Sequence, residues 1–358
     1  LVDLVAGPLK GTCQQAAARA FLTRSTQLNP AMAEATKSDH VLGIDVGGTK
    51  LYAGVFNHSL NCVGTARKST KSQRGVGEVI KRIARVAEEA VDEADLSLKQ
   101  VKGIGIGAPG AVDSDSGTVI FAPNMEGWKD IPLKKELEKL LDVPVFVEND
   151  CNIAMLGVHC VELKSKPKNA FGIFVGTGIG GGIIINGELY SGFNHTAAEI
   201  GHMVIEPAGP KCGCGNKGCI EALASRTAIF KRLQEAVRDG QKTILTDMLG
   251  SDLDDMRSGS LRKALRKGDK LTEKVIEEAA EYLGIGVANL ANILAPDTIV
   301  LGGGVIEALA DEMLAIIVET ANDYAMPGVM KDVEIFASKL GDEAGITGGA
   351  VLARKLAK

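Results

Sequence analysis

The sequence predicts an α/β protein of duplicated, two-lobed build with a ligand cleft between the lobes. Three observations lead there. A strand–glycine turn–strand unit occurs twice: Gly43-Ile44-Asp45-Val46-Gly47 and Gly172-Ile173-Phe174-Val175-Gly176 are related by a shift of 129, which also aligns Asn57 with Asn186 and Leu60 with Leu189. Two Gly/Ile-rich strands can match by chance, so the repeat is weighed with the rest of the pattern. Short apolar strands alternate with amphipathic helices, the signature of an α/β chain. Glycine accounts for 43 of 358 residues, well above the usual ~7%. About half of it falls in six clusters at the ends of predicted strands, where backbone N–H groups can approach phosphate oxygens unobstructed by a Cβ.

Bulk composition narrows the function. With 40 Lys+Arg against 45 Asp+Glu the net charge is −5, which disfavours a nucleic-acid or anionic-membrane binder that works by charge. The length fits roughly two domains at about 150 residues each. No apolar run reaches the ~18 residues of a transmembrane helix. Seven cysteines without a secretory apolar segment suit a reducing, cytoplasmic compartment better than a disulfide framework.

Taken in order, residues 1–39 read as a leader, disordered or not native to the fold. They hold no acidic residue between Leu4 and Ala33 but carry Lys10, Arg19 and Arg24. That composition fits a transit segment weakly and upstream sequence ahead of Met32 better. Strands are expected at Val41–Asp45, Leu51–Asn57 and Cys62–Ser69, then a helix with Val79, Ile83, Val86, Ala87, Ala90, Val91 and Ala94 on one face. Val101–Gly107 is a strand broken by Ala108-Pro109-Gly110; Leu133–Leu141 is a helix and Pro144–Glu148 a strand. The hairpin pattern restarts at Phe171–Val175 and Gly182–Asn186. A central helix is expected over Leu271–Leu294, a strand over Asp297–Leu301 and a last helix over about Gly348–Leu356. The expected lobes are 40–149 and 150–342, with the C-terminal helix of about 343–358 packing on the first.

Three glycine turns suit phosphates. Asp45-Val46-Gly47-Gly48-Thr49-Lys50 places a carboxylate at a strand end beside a Gly-Gly-Thr turn, able to hold a Mg2+ water shell and a phosphate together. Gly176–Gly182 and Gly302-Gly303-Gly304 are the others. Gly105–Gly110 and Gly176–Gly181 also satisfy G-x-G-x-x-G, but neither is followed directly by a helix, so a dinucleotide fingerprint fails. Glu148-Asn149-Asp150 follows a strand; Asp150 suits a general base for an alcohol, and equally an N-cap for a helix starting near Asn152. The sharpest motif is His202…Cys212-Gly213-Cys214…Cys219, three thiols and an imidazole forming a closed structural zinc site. Buried free cysteines are the other reading, and a segment this rich in glycine makes a poor core. Glu199 and Glu221 flank it, as polyol-binding carboxylates held by the loop or as solvated surface groups.

Together these motifs resemble the ROK family of sugar kinases and repressors, nearest its glucokinase branch. The resemblance covers about residues 40–358 and rests on Asp45-x-Gly-Gly-Thr-Lys50, Ala122-Pro123-Asn124…Gly127-Trp128, Glu148-Asn149-Asp150, Glu199-x-Gly-His202 and the Cys-x-Cys-x4-Cys loop with Glu221. It implies the actin-like ATPase/sugar kinase (ribonuclease H-like) fold and ATP-dependent phosphorylation of a hexose 6-hydroxyl, glucose first, with N-acetylmannosamine, N-acetylglucosamine, mannose or fructose as alternatives and a sugar-responsive transcriptional regulator as the lesser one. By resemblance Asp150 is the base, and Gly110, Asn124, Asn149, Glu199, His202 and Glu221 meet the sugar. Asp45, Gly47, Gly48, Thr49, Lys50, Thr177 and Gly178 would cradle Mg-ATP, with Gly302, Gly303 and Gly304 near the adenosine. His202 would bind zinc with one ring nitrogen and face the sugar with the other. A homodimer or homotetramer is implied, with no nucleic-acid or membrane partner; residues 1–39 are too short for the DNA-binding domain of the family's repressors. Arg226 stands where the family often has a small residue. Beside a sugar-proximal loop it would alter substrate choice or face solvent.

Overall fold

Apolar runs buried on both faces make His40–Val46 (β1) and Lys50–Phe56 (β2) central strands, while Cys62–Ser69 (β3) alternates exposure at the edge. The computed structural model describes residues 39–357; the leader expected over 1–39 lies, apart from Asp39, outside them. Val76–Glu93 (α1) follows, then Val101–Ala108 (β4). A small sheet comes next, of Ala111–Asp113 (β5), Thr118–Phe121 (β6) and Lys129–Ile131 (β7). Leu133–Leu141 (α2), Val145–Asn149 (β8) and Asp150–Gly157 (α3) follow. The chain then repeats itself with Ala170–Val175 (β9), Ile179–Ile185 (β10) and Glu188–Leu189 (β11). Four helices that the sequence pattern did not mark come next: Ile220–Ala224 (α4), Arg226–Arg238 (α5), Ile244–Leu249 (α6) and Ser258–Arg266 (α7). Lys270–Leu294 (α8), Thr298–Gly302 (β12), Gly303–Tyr324 (α9), Glu334–Ala337 (β13) and Glu343–Leu356 (α10) end the fold.

The duplication is visible in the pairing. One sheet runs β3-β2-β1-β4-β8 and the other β11-β10-β9-β12-β13. In both, the opening hairpin is antiparallel and the third and fourth strands run parallel to its first strand. Gly43 faces Gly54 in one hairpin and Gly172 faces Gly182 in the other.

Each sheet carries its own core. Val79, Ile83, Val86, Ala87, Ala90 and Val91 of α1 bury against Leu42, Ile44 and Leu51 of the first sheet. Phe171, Ile173 and Ile299 of the second pack with Ile276, Leu283 and Val287 of α8 and Val305, Leu309 and Ile317 of α9. On the opposite face of the first sheet lies α10, its Ile346, Ala350 and Ala353 against Val41, Tyr52 and Phe56. The approach is close enough to require glycine: a Cβ on Gly43 would sit 1.7 Å from the Ile346 carbonyl oxygen, and one on Gly105 1.9 Å from that of Gly349. Helix α3 touches both β4 and β10, so α3 and α10 form the packed layer between the sheets. No helix among the described residues is long and apolar enough to cross a membrane.

One expectation changes. The triple glycine at 302–304 is a strand end feeding a 22-residue helix, with Gly302 as N-cap of α9 and Gly303 at φ 85°. The last helix begins at Glu343, at the start of the expected C-terminal segment of about 343–358.

Candidate active site

The parallel strands β1, β4 and β8 end at one edge of the first sheet, and that edge carries Asp45 and Asp150. After Asp45 the chain turns tightly, with the Gly47 N–H donating to the Lys50 carbonyl at 2.9 Å and the Thr70 hydroxyl donating to the Gly47 carbonyl at 2.6 Å. Burial first, then the charge of Asp150, pushes the Asp45 carboxyl up to about 7, against the pull of Lys50. Lys50 itself is held by Asp342 at 2.6 Å. The loop bearing Asn124 lies against this turn: a Cβ on Gly48 would be 3.4 Å from the Asn124 carbonyl.

At the end of β8 the cap of α3 is Asn149, not Asp150. Asn149 Oδ1 accepts from the N–H groups of Cys151 and Asn152 at 2.9 and 3.1 Å, and its Nδ2 donates to the Gly110 carbonyl at 3.0 Å. Asp150 Oδ1 accepts from the Cys151 N–H at 2.8 Å. Its carboxyl is raised above the ordinary value by burial, with the negative charge of Glu199 adding to the shift. Asp45, Asp150 and Glu199 thus form a row in which each carboxylate feels the next.

Glu148, named in the Glu148-Asn149-Asp150 motif but given no role of its own there, is the anchor of this region. It is 4% exposed and faces four neutral donors. Oε1 accepts from Asn149 N–H at 2.8 Å and Asn152 Nδ2 at 3.0 Å; Oε2 accepts from Ser114 Oγ at 2.8 Å and Ser191 Oγ at 3.3 Å. Ser114 follows β5 and Ser191 follows β11, so one carboxylate ties the first lobe's small sheet to the loop leading to Glu199. Beside it, His195 Nε2 lies 3.7 Å from Asp113 and 3.5 Å from Asp115.

Across the cleft the Gly176–Gly182 turn meets the cysteine loop through Glu221 at the start of α4. Glu221 Oε2 accepts from the Ile179 N–H at 3.0 Å, and a Cβ on Gly178 would stand 2.3 Å from that oxygen. Its other oxygen is 3.7 Å from Cys212 Sγ. The carboxylate is therefore turned toward the turn and the loop. The loop is folded by bonds from Cys212 N–H to the Asn216 carbonyl, 2.8 Å, and from Gly218 N–H to the Pro210 carbonyl, 2.9 Å.

The donors His202, Cys212, Cys214 and Cys219 lie within 4.8 Å of one another. His202 Nδ1 is 3.7 Å from Cys212 Sγ, and Cys214 and Cys219 sulfurs are 3.7 Å apart. Zinc–sulfur bonds of ~2.3 Å at tetrahedral angles put sulfurs ~3.8 Å apart, so the set fits the ion. The Cys219 thiol is pushed up to about 12 by burial and its two thiol neighbours. His202 Nε2 faces Glu199 at 3.9 Å, on the side away from the thiols. A cavity of about 510 Å³ opens between Asn124 of the first lobe and Thr177, Gly178, Cys212, Glu221 and Tyr282 of the second. The 302–304 glycines sit at the second sheet's edge, where a Cβ on Gly303 would be 2.6 Å from the Val175 carbonyl.

Arg226 meets the Gly176–Gly182 turn, the same turn that Glu221 contacts. As the first residue of α5 its guanidinium donates to Thr177 Oγ1 in the glycine turn.

A family model described as the ROK family matches residues 41–356. A glucokinase from Thermotoga maritima is 33% identical over 315 residues, 88% of this chain and 97% of that protein. One from Halalkalibacterium halodurans is 36% identical over 318 residues, 88% and 94% respectively. Among solved structures, a ROK family glucokinase from Streptomyces griseus in complex with glucose and AMPPNP superposes with a TM-score of 0.78 at 31% identity, over 88% of this chain and 99% of that one.

Proposed function

The chain belongs to the ROK family, and from that premise we propose that it is an ATP-dependent hexokinase that converts glucose to glucose 6-phosphate. Its fold is the two-lobed actin-like ATPase and sugar-kinase fold. The observation that carries the reading is the placement of Asp45 beside Asp150: Asp45 pairs with Gly107, where a Cβ would stand 3.3 Å from the Asp150 Cα. Asp150 lies within electrostatic reach of Asp45 on the phosphate side and of Glu199 on the sugar side.

In this reading Asp150 accepts the 6-hydroxyl proton as the alcohol oxygen attacks the γ-phosphorus and the bond to ADP breaks. Its raised basicity suits a proton acceptor, and Asn149 and Glu148 hold it at the head of α3. Asp45 and the Gly47–Thr49 turn would hold the magnesium and phosphates, the ion neutralising charge on the phosphate oxygens. Thr177, Gly178 and Gly302–Gly304 would line the nucleotide side. Asn124, Glu199 and His202 would meet the sugar hydroxyls, with Asn149, Gly110 and Glu221 behind them. The thiol–imidazole set would hold structural zinc through His202 Nδ1, which leaves Nε2 for the sugar. The free thiols of Cys62, Cys151 and Cys160 accord with a reducing, cytoplasmic setting.

A coupled ADP-release assay over glucose, mannose, fructose, N-acetylglucosamine and N-acetylmannosamine tests this. Glucose is expected to give the highest kcat/KM. Asp150→Asn should lose turnover by ~1,000-fold or more while keeping glucose affinity. Near-normal kcat in that variant would overturn the assignment of the base, and a better N-acetylhexosamine substrate would overturn the sugar.

A further inference from the structure

Donor phosphates bring several negative charges into the cleft, and the three glycine turns differ in the cations they offer. Lys50 at the first turn is bound to Asp342 at 2.6 Å, and Arg67 shares that carboxylate at 3.5 Å. The third turn, Gly302–Gly304, contains no cationic residue. The second has Arg226.

Arg226 is tied to this turn along its whole length. Its backbone N–H donates to the Gly176 carbonyl at 3.0 Å. The hydroxyl of the next residue, Thr227, donates to the Thr177 carbonyl at 2.8 Å. Its guanidinium donates to Thr177 Oγ1 through Nη2. Among the described residues it forms no ion pair with a carboxylate, unlike Arg232, which reaches Glu278. One of five guanidinium N–H donors is spent on Thr177, and the fork keeps the rest for an anion. Because Thr177 Oγ1 accepts from Arg226, its own proton is free to donate outward, into the cavity that Thr177 lines.

We propose that Arg226 is a catalytic residue that binds the donor's phosphate oxygens together with the Thr177 hydroxyl, adding to the turn a charge without a carboxylate partner, whereas Lys231 and Arg232 of the adjoining cavity are paired with Glu235 and Glu278. The inference rests on the kinase reading above and adds a group to it. As the alcohol oxygen bonds to the γ-phosphorus, the electron pair of the breaking P–O bond stays on ADP, and the proton goes to Asp150. The guanidinium takes up charge on the phosphate oxygens and exchanges no proton.

The test compares wild type with Arg226→Ala, Arg226→Met and Arg226→Lys. Calorimetric titration of ATP, ADP, AMP and adenosine reads phosphate binding without turnover, and titration of glucose reads the other half of the cleft. In Arg226→Ala, kcat/KM for ATP is expected to fall by about 30-fold or more. The affinity loss should grow from adenosine to ATP, with glucose affinity unchanged and partial recovery in Arg226→Lys or with added guanidinium. An equal loss for adenosine and ATP would mean that Arg226 only braces the turn, and would overturn the proposal. So would ATP affinity and kcat/KM within threefold of wild type in Arg226→Met, the variant that keeps the stem if alanine unfolds the turn. If wild type binds ATP but turns over no hexose, the kinase reading fails while the titration series still decides the role of Arg226.

Discussion

Replacing Asp45 by asparagine should abolish activity and stabilise the ligand-free fold. Burial and the charge of Asp150 raise the Asp45 carboxyl from 3.8 to about 7. The folded chain therefore holds a proton there that the unfolded chain releases in the window between those values. For an acid raised in this way, stability is lost as pH climbs through the window and is not regained above it. Full ionisation costs at most about 4 kcal/mol. Water entering the open cleft screens the charge, which brings the expected cost to ~1–2 kcal/mol. Spread over a unit of this length, at ~2 cal/mol/K per residue, that is a Tm difference of about 2–3 °C. Thermal melts of ligand-free wild type and Asp45→Asn at pH 5 to 8 measure it. The variant should melt higher at pH 8, and the gap should close toward pH 5. A gap of equal size at both ends, or a wild type that melts higher at pH 8, would refute the assignment of strain to this carboxylate. Magnesium with nucleotide should raise the wild-type Tm more than the variant's, because the charge then has a partner.

Further expectations follow from the neighbouring residues. The acid limb of kcat/KM should lie above the ordinary carboxylate range, since Asp150 must be unprotonated and its carboxyl is raised by burial and by Glu199; Glu199→Gln should move the limb to lower pH. Elemental analysis should find about one zinc per chain, and chelation should lower Tm and glucose affinity more than kcat; protein prepared without loss of metal that contains none would refute the site. Glu148→Ala strands four donors, and urea unfolding should show a loss of ~3 kcal/mol with slower turnover, whereas Glu148→Gln keeps the shape and most of both.

Most of what the sequence disclosed came from patterns that depend on near neighbours. The hairpin repeat, the helix over Leu133–Leu141 and the strand over Cys62–Ser69 were legible from apolar spacing alone. The small sheet β5–β7 was not, because strands of three or four residues carry too few alternations to register. Helix α9 was hidden by glycines at its head, poor helix formers in any interior, although Gly302 here only caps it. The choice between base and cap at Asp150 was undecidable from position; Asn149 takes the cap and leaves Asp150 with one backbone donor. The role of Glu148 was not legible since its serine partners lie 34 and 43 residues away. The partner of Arg226 was hidden for the same reason, Thr177 being 49 residues distant.

The seat of α10 on the first sheet has a consequence for synthesis. Val41, Tyr52 and Phe56 are covered by Ile346, Ala350 and Ala353, residues translated roughly 300 positions later. At ~5–20 residues per second a ribosome takes about 15–60 s to cover that distance. Throughout that interval the first lobe has its hairpin and α1 but bears an uncovered apolar face, notched by Gly43 and Gly105 to receive a helix not yet made. A nascent chain of this protein is therefore a natural client for chaperones, and stalling late in translation would strand a nearly complete enzyme with its oldest surface still open.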